Sequence, residues 1–170
     1  MLKTPLFWKK KSIISFFLLP LSFFYFLGYL IYKLSKKEVE IGKPVLCVGN
    51  LVIGGAGKTP LVIKIRQLLY SDFSKIFVLT RGYLGKNKGP LIVKKTMHYQ
   101  DVGDESLIHA NFGSTCVSKN KVEGAKLCKK KGADLIILDD GLQSINVKKK
   151  MSLLVIDSFY GTKNRFIFPS

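Results

Sequence analysis

The sequence predicts an α/β chain: a mostly parallel sheet with helices on both faces, preceded by an N-terminal membrane helix. Three observations predict it. Short, wholly apolar runs alternate with segments of helical spacing, as strands buried on both faces require. One of these runs, Pro44–Val48, leads into a glycine-rich segment that ends in Gly57-Lys58-Thr59. Ahead of both lies a stretch, Ser12–Tyr32, with no charged residue in 21 positions.

That stretch comes first in chain order. It is long enough, as a helix, for a bilayer core of about 30 Å. Trp8, Tyr25, Tyr29 and Tyr32 are amphipathic aromatics suited to an interface. Lys3 and Lys9 to Lys11 precede the run, and Lys33, Lys36, Lys37 and Lys43 follow it, so the lysines on the two sides set no clear orientation. A segment lying in one leaflet avoids exporting the N-terminal lysines, and Pro20 is placed to break or kink it. No small-residue cleavage site follows. The expected organisation is a membrane-associated segment over 1–37 and a nucleotide-binding α/β lobe over 38–170, joined through the polar stretch Lys33–Lys43.

Pro44–Val48 reads as the first buried strand. Gly49 to Pro60 then runs Gly-Asn-Leu-Val-Ile-Gly-Gly-Ala-Gly-Lys-Thr-Pro. A strand, a glycine loop and a Gly-Lys-Thr helix start are what a nucleoside triphosphate needs. Loop N–H groups cradle the phosphates, Lys58 reaches the β/γ oxygens, and the Thr59 hydroxyl ligates Mg²⁺. The helix dipole favours the anion. Gly54, Gly55, Ala56, Gly57, Lys58, Thr59 and Pro60 form the candidate nucleotide-binding set, and the chain is read as a P-loop NTPase type. The strict pattern places glycine at position 52, where Val52 stands.

Leu61, Val62, Ile65, Leu68 and Leu69 give Lys58–Tyr70 a helical spacing. Ile76–Leu79 is the second strand, followed by a polar loop from Arg81 to Pro90, and Leu91–Val93 is the third. Gly103 and the acidic Asp104-Glu105 open a helix to Asn111. Asp104 there reads first as a helix-start residue that satisfies N–H groups, with a base that accepts a hydroxyl proton as the other reading. Arg81 suits a phosphate or a surface carboxylate. Thr115–Val117 is a short strand, Lys121–Lys131 a basic helix ended by Gly132, and Leu135–Leu138 an apolar strand that runs into Asp139-Asp140. A strand-end aspartate pair is the form that holds Mg²⁺ directly or through water; Asp140-Gly141 is also a common turn pair. Leu153–Ile156 is the last strand. Ligands of such sheets bind beyond the carboxyl ends of the strands, where the glycine segment, the Arg81 loop and Asp139-Asp140 all fall.

The net charge is +17, with 25 lysines against three arginines. This favours anionic lipid, phosphate or nucleic acid as a partner, or reflects a lysine-rich coding bias. No RNA-binding aromatic motif or zinc knuckle accompanies the charge, so no nucleic-acid partner is expected. Cys47, Cys116 and Cys128 lack metal spacing, and an odd, unpatterned count fits a reducing compartment.

Taken together, Leu19-Pro20-Leu21-Ser22, Val48-Gly49-Asn50-Leu51, Gly54-Gly55-Ala56-Gly57-Lys58-Thr59-Pro60, Arg81-Gly82-Tyr83, Gly103-Asp104-Glu105 and Asp139-Asp140-Gly141-Leu142-Gln143 make the chain resemble the tetraacyldisaccharide 4′-kinases, the lipid A 4′-kinases of Gram-negative bacteria. The resemblance covers essentially the whole chain, and the family tolerates a non-glycine where Val52 stands. It implies ATP-dependent phosphorylation, with Mg²⁺, of the 4′-hydroxyl of a tetraacyldisaccharide 1-phosphate, by an enzyme attached to the cytoplasmic face of the inner membrane and its lipids. It implies Lys58 and Asp104 as catalytic residues, Asp104 as the general base, and Thr59, Asp139 and Asp140 around the metal. It does not say which of the two aspartates touches the ion, nor the oligomeric state. Two departures follow: Ser144 stands where the family commonly has histidine, and family members are roughly twice this long. The expectation is therefore an N-terminal lobe whose C-terminal lobe, with a histidine partner for the base, is missing. The alternative expectation is a catalytically inactive, membrane-anchored nucleotide-binding module; a partition or trafficking ATPase is a third.

Overall fold

Six strands form one sheet in the order β3-β4-β2-β5-β1-β6. They are β1 (Val45–Asn50), β2 (Ile76–Thr80), β3 (Leu91–Ile92), β4 (Thr115–Val117), β5 (Leu135–Asp139) and β6 (Met151–Val155). The computed structural model describes residues 19–35, 37–50 and 57–156. The chain divides into two compact units, one containing the helix Leu19–Ser35 (α1) and the other, Glu38–Asn50 with Gly57–Val155, containing the sheet.

In the sheet unit, all pairings are parallel except the short antiparallel one of β3 with β4. The central strands are apolar along their whole length because both faces are covered. Alternate residues divide between two cores. Cys47, Phe77, Leu79, Ile136 and Leu138 pack with Ala125 and Cys128 of α5 (Lys121–Lys130). Leu46, Val48, Ile76, Val78 and Ile137 pack with Val62 of α2 (Lys58–Leu68). Helices therefore lie on both faces, as expected. Between the strands come α3 (Tyr99–Val102) and α4 (Asp104–Phe112), with Val102 and Ala110 packed on Val117.

Several boundaries differ from the sequence expectation. β1 runs two residues further, to Asn50, because Gly49 and Asn50 pair with Leu154 and Val155. β6 starts at Met151 rather than Leu153; as an edge strand it is largely exposed, so its start has no apolar signature. The one-turn α3 was not expected at all. It is capped by His98, whose Nδ1 accepts from the Gln100 N–H, and broken from α4 by Gly103 at φ 82°. A Cβ on Gly103 would stand 2.5 Å from the Tyr83 carbonyl oxygen, so this junction needs glycine. Asn120 caps α5 by accepting from the Val122 and Glu123 N–H groups.

In the other unit, α1 exposes Phe23, Phe24, Tyr25, Phe26, Leu27, Tyr29, Leu30 and Ile31. The expected membrane stretch Ser12–Tyr32 falls partly outside the described residues, as do Trp8 and the lysines before it. Among the described residues no helix is long and apolar enough to cross a membrane.

Candidate active site

The carboxyl ends of β1, β2 and β5 come together because β5 inserts between the other two. Its register sets Asp139 beside Val48, where β1 leads toward the glycine segment, and the Asp140 N–H donates to the Val48 carbonyl at 2.9 Å. Two helices aim their N-termini at the same place. α2 starts after Gly57, which holds φ 74°, and α4 starts at Asp104. Gly54, Gly55 and Ala56 of the expected cradle lie outside the described residues. Pro60 sits in the first turn of α2, where no intrahelical N–H bond is lost.

Lys58 is drawn in at this focus. Its Nζ donates to Asn50 Oδ1 at 2.9 Å and to Asp140 Oδ1 at 2.8 Å. The lysine side chain is 19% exposed and the aspartate 62%. Asp140 adopts φ 56°, the left-handed turn geometry that aspartate tolerates, so the turn and the ion pair occur in one residue. Asp139 is different. It is 4% exposed, and its Oδ2 lies 2.8 Å from Nε2 of the fully buried His109. A carboxylate only accepts, so Nε2 carries the hydrogen and donates it.

Asp104 is exposed, and its Oδ1 accepts from the Glu105 N–H at 2.9 Å, which is the helix-start role; its carboxylate also faces solvent at the site. Glu105 has its pKa raised, first by burial and then by the neighbouring Asp139 and Asp104 carboxylates, with Lys58 and His109 opposing. These groups therefore share one electrostatic neighbourhood. At the next residue, the Ser106 and Thr80 hydroxyls share a buried hydrogen bond of 2.7 Å that fixes α4 to the end of β2.

Lys121 is buried beneath the strand ends. Its Nζ donates to the carbonyls of Leu79 at 3.2 Å and Asp139 at 3.5 Å. Burial pulls its pKa down to about 8, against the pull of Asp139, Asp140 and Cys116, with Arg81 adding to the fall. Arg81 itself is exposed at the end of β2, within electrostatic reach of Lys121. The three cysteines are buried and free, as small core residues.

The donors fit a magnesium nucleotide. They are hard oxygens beside a lysine at a helix N-terminus. Among the described residues no three of His, Cys, Asp and Glu gather into a metal cage, and Mg²⁺ is commonly held by one or two carboxylates together with substrate phosphates. Sequence reasoning placed Lys58, Thr59, Asp104, Asp139 and Asp140 at this end of the sheet. It missed Asn50, Glu105, Ser106, His109 and Lys121, because their parts come from pairings across 26 or more residues or from a neighbour whose own place is set by the fold.

A buried parallel sheet, a lysine at the N-terminus of the helix after β1, and aspartates at the end of the adjacent strand define a P-loop kinase fold. The family model described as Tetraacyldisaccharide-1-P 4'-kinase matches residues 14–170, and the chain belongs to that family. It is 41% identical over 172 residues to a tetraacyldisaccharide 4'-kinase of Rhodopseudomonas palustris (strain HaA2), covering 99% of this chain and 50% of that one. Its identity to the kinase of Methylorubrum extorquens (strain PA1) is 44% over 128 residues, covering 75% and 39%. Among solved structures, it resembles LpxK from Aquifex aeolicus in complex with ATP, with a TM-score of 0.71 and 32% identity over 84% of this chain and 49% of that one. The chain thus spans about half the length of the curated relatives it matches.

Proposed function

We propose that this chain binds ATP with Mg²⁺ and serves the transfer of the γ-phosphate to the 4′-hydroxyl of a tetraacyldisaccharide 1-phosphate, in lipid A biosynthesis at the cytoplasmic face of the inner membrane. The observation that carries this is the placement of Lys58 at the start of α2, bonded to Asn50 and Asp140, with Asp139 and Asp104 at the same end of the sheet. Lys58 exchanges its carboxylate and amide partners for the β/γ-phosphate oxygens. The N–H groups at the start of α2 add their dipole to the same anion. Asp139, Asp140 and the Thr59 hydroxyl hold the metal, which neutralises phosphate charge when bound. Asp104 accepts the proton of the 4′-hydroxyl as its oxygen bonds to phosphorus and the bond to ADP breaks. The exposed aromatics of α1 suit a leaflet in which the acylated acceptor resides.

The test is a phosphoryl-transfer assay with tetraacyldisaccharide 1-phosphate, ATP and Mg²⁺, run beside ATP-binding calorimetry. Transfer that is lost in Asp104→Asn while ATP affinity is kept is the expected result. ATP binding without transfer would instead identify a membrane-anchored nucleotide-binding module, and absence of both would sink the nucleotide reading.

A further inference from the structure

His109 has no part in the reaction as proposed, yet it is the side chain nearest to fixing that reaction's metal carboxylate. On α4, Ser106 and His109 stand three residues apart on one helix face, and both point at strand ends. Ser106 bonds to Thr80 at the end of β2, and His109 Nε2 bonds to Asp139 Oδ2 at the end of β5. β2 and β5 are neighbours in register, with Leu79 beside Leu138, so these two buried polar contacts tie one helix to adjacent strand ends. The His109 carbonyl is itself gripped from α2 by Arg66 Nη1 at 3.4 Å.

Stability alone does not account for the pair. A buried imidazole and carboxylate both lose hydration, and apolar residues of similar volume usually replace such pairs at no loss. His109 Nδ1, moreover, is buried without a hydrogen-bond partner among the described residues, which adds to the cost. A histidine at this place is best explained by what it does to Asp139.

We propose that His109 is a positioning residue for Asp139: it occupies Oδ2, locks the carboxylate, and leaves Oδ1 as the oxygen offered to the nucleotide-bound cation. Carboxylates that face metals are commonly oriented by such outer hydrogen bonds, and loss of one lowers metal affinity by about 10- to 100-fold. The two aspartates then divide the work. Asp139 is the fixed ligand, and the exposed Asp140 is the partner that Lys58 leaves when phosphate arrives. The inference rests on the reading of Asp139 as metal-facing.

The test uses the full chain with Mn²⁺ as the probe, its binding followed by electron paramagnetic resonance in the presence of ATP. ATP affinity in EDTA and the thermal melt are measured alongside. His109→Leu should weaken Mn²⁺ binding in the nucleotide complex about tenfold or more while ATP affinity in EDTA is unchanged. His109→Gln places an amide N–H where Nε2–H was and should keep most of the Mn²⁺ affinity. His109→Asn is one methylene shorter, falls short of Asp139, and should lose it. Wild-type Mn²⁺ affinity in His109→Leu overturns the proposal, as does an equal loss of ATP binding in EDTA. Should His109→Leu not fold, equal Mn²⁺ affinities in the Gln and Asn variants overturn it. If the wild-type chain binds no Mn²⁺ with ATP, the metal reading of Asp139 fails first and takes this inference with it; failure in the variants alone leaves that reading intact.

Discussion

Lys58 and Lys121 are two lysines at one end of a sheet, and their surroundings give them opposite consequences. Lys58 pairs with an exposed carboxylate, and such pairs contribute about 1 kcal/mol or less to stability. Lys58→Ala should therefore leave the melting temperature almost unchanged while ATP affinity falls at least tenfold, since a lysine on phosphate oxygens is a charge-assisted contact worth about 1.5–3 kcal/mol. Calorimetry of ATP binding beside a thermal melt checks both halves; a large loss of stability with retained affinity would remove the phosphate role. Lys121 is enclosed, and its fall from 10.5 to about 8 on folding corresponds to about 3 kcal/mol. The sign follows from proton counting. Between those two values the unfolded chain holds the proton that the folded chain has lost, so the Lys121 contribution raises stability with pH across that window, and below it the full cost of burying the charge is present. Lys121→Met should thus gain on the wild type below pH 8 and lose that advantage by pH 10.5. Urea unfolding of both proteins at the two ends of the window reads the difference, and parallel pH profiles would contradict it.

At the level of elements, α2 and α4 carry the two candidate catalytic residues, and one side chain joins them to the sheet. Arg66 of α2 is buried and donates to the carbonyls of Ile76 at 2.8 Å, Ser114 at 2.9 Å and His109 at 3.4 Å, touching β2, the turn before β4, and α4. The guanidinium packs so closely on Gly113 that a Cβ there would sit 2.4 Å from Nη2. Arg66→Met should cost about 2–4 kcal/mol in urea unfolding, because the carbonyls lose their donors inside the fold. Arg66→Lys should recover little, since an ammonium cannot reach three carbonyls as the planar fork does; full recovery would refute that geometry. Such contacts also show why the sequence revealed some elements and not others. β1, β2 and β5 announce themselves because a strand buried on both faces must be apolar throughout, and α2 because its apolar spacing survives beside one core. Arg66, His109 and Lys121 are polar or charged residues inside a core, and their burial follows only from carbonyls and carboxylates brought close by the crossovers. β3 showed only as the short apolar run Leu91–Val93, and α3 is too short to leave a period. Lys58, Asp104, Asp139 and Asp140 could be placed near this end of the sheet from sequence because each stands within two residues of a helix start or strand end.

For the whole molecule, charge and apolar exposure give separable forces toward a membrane. The chain carries +17, and in the sheet unit Lys129, Lys130 and Lys131 close α5, with Lys148, Lys149 and Lys150 preceding β6. Attraction of these lysines to anionic lipid is screened within about 8 Å at physiological salt. α1 brings the other force. Over its described residues it exposes Phe23, Phe24, Tyr25 and Ile31, apolar and amphipathic side chains suited to a lipid leaflet. An apolar contact of that kind does not weaken with salt. The full chain should therefore sediment with vesicles containing anionic lipid at low salt and stay bound through a high-salt wash. Without residues 1–35, the remaining sheet unit should bind the same vesicles at low salt, come off in the wash, and fail to bind vesicles of neutral lipid. Salt-resistant binding by that shortened chain would remove the N-terminal segment as the anchor, and release of the full chain by salt would leave the lysines as the only membrane contact.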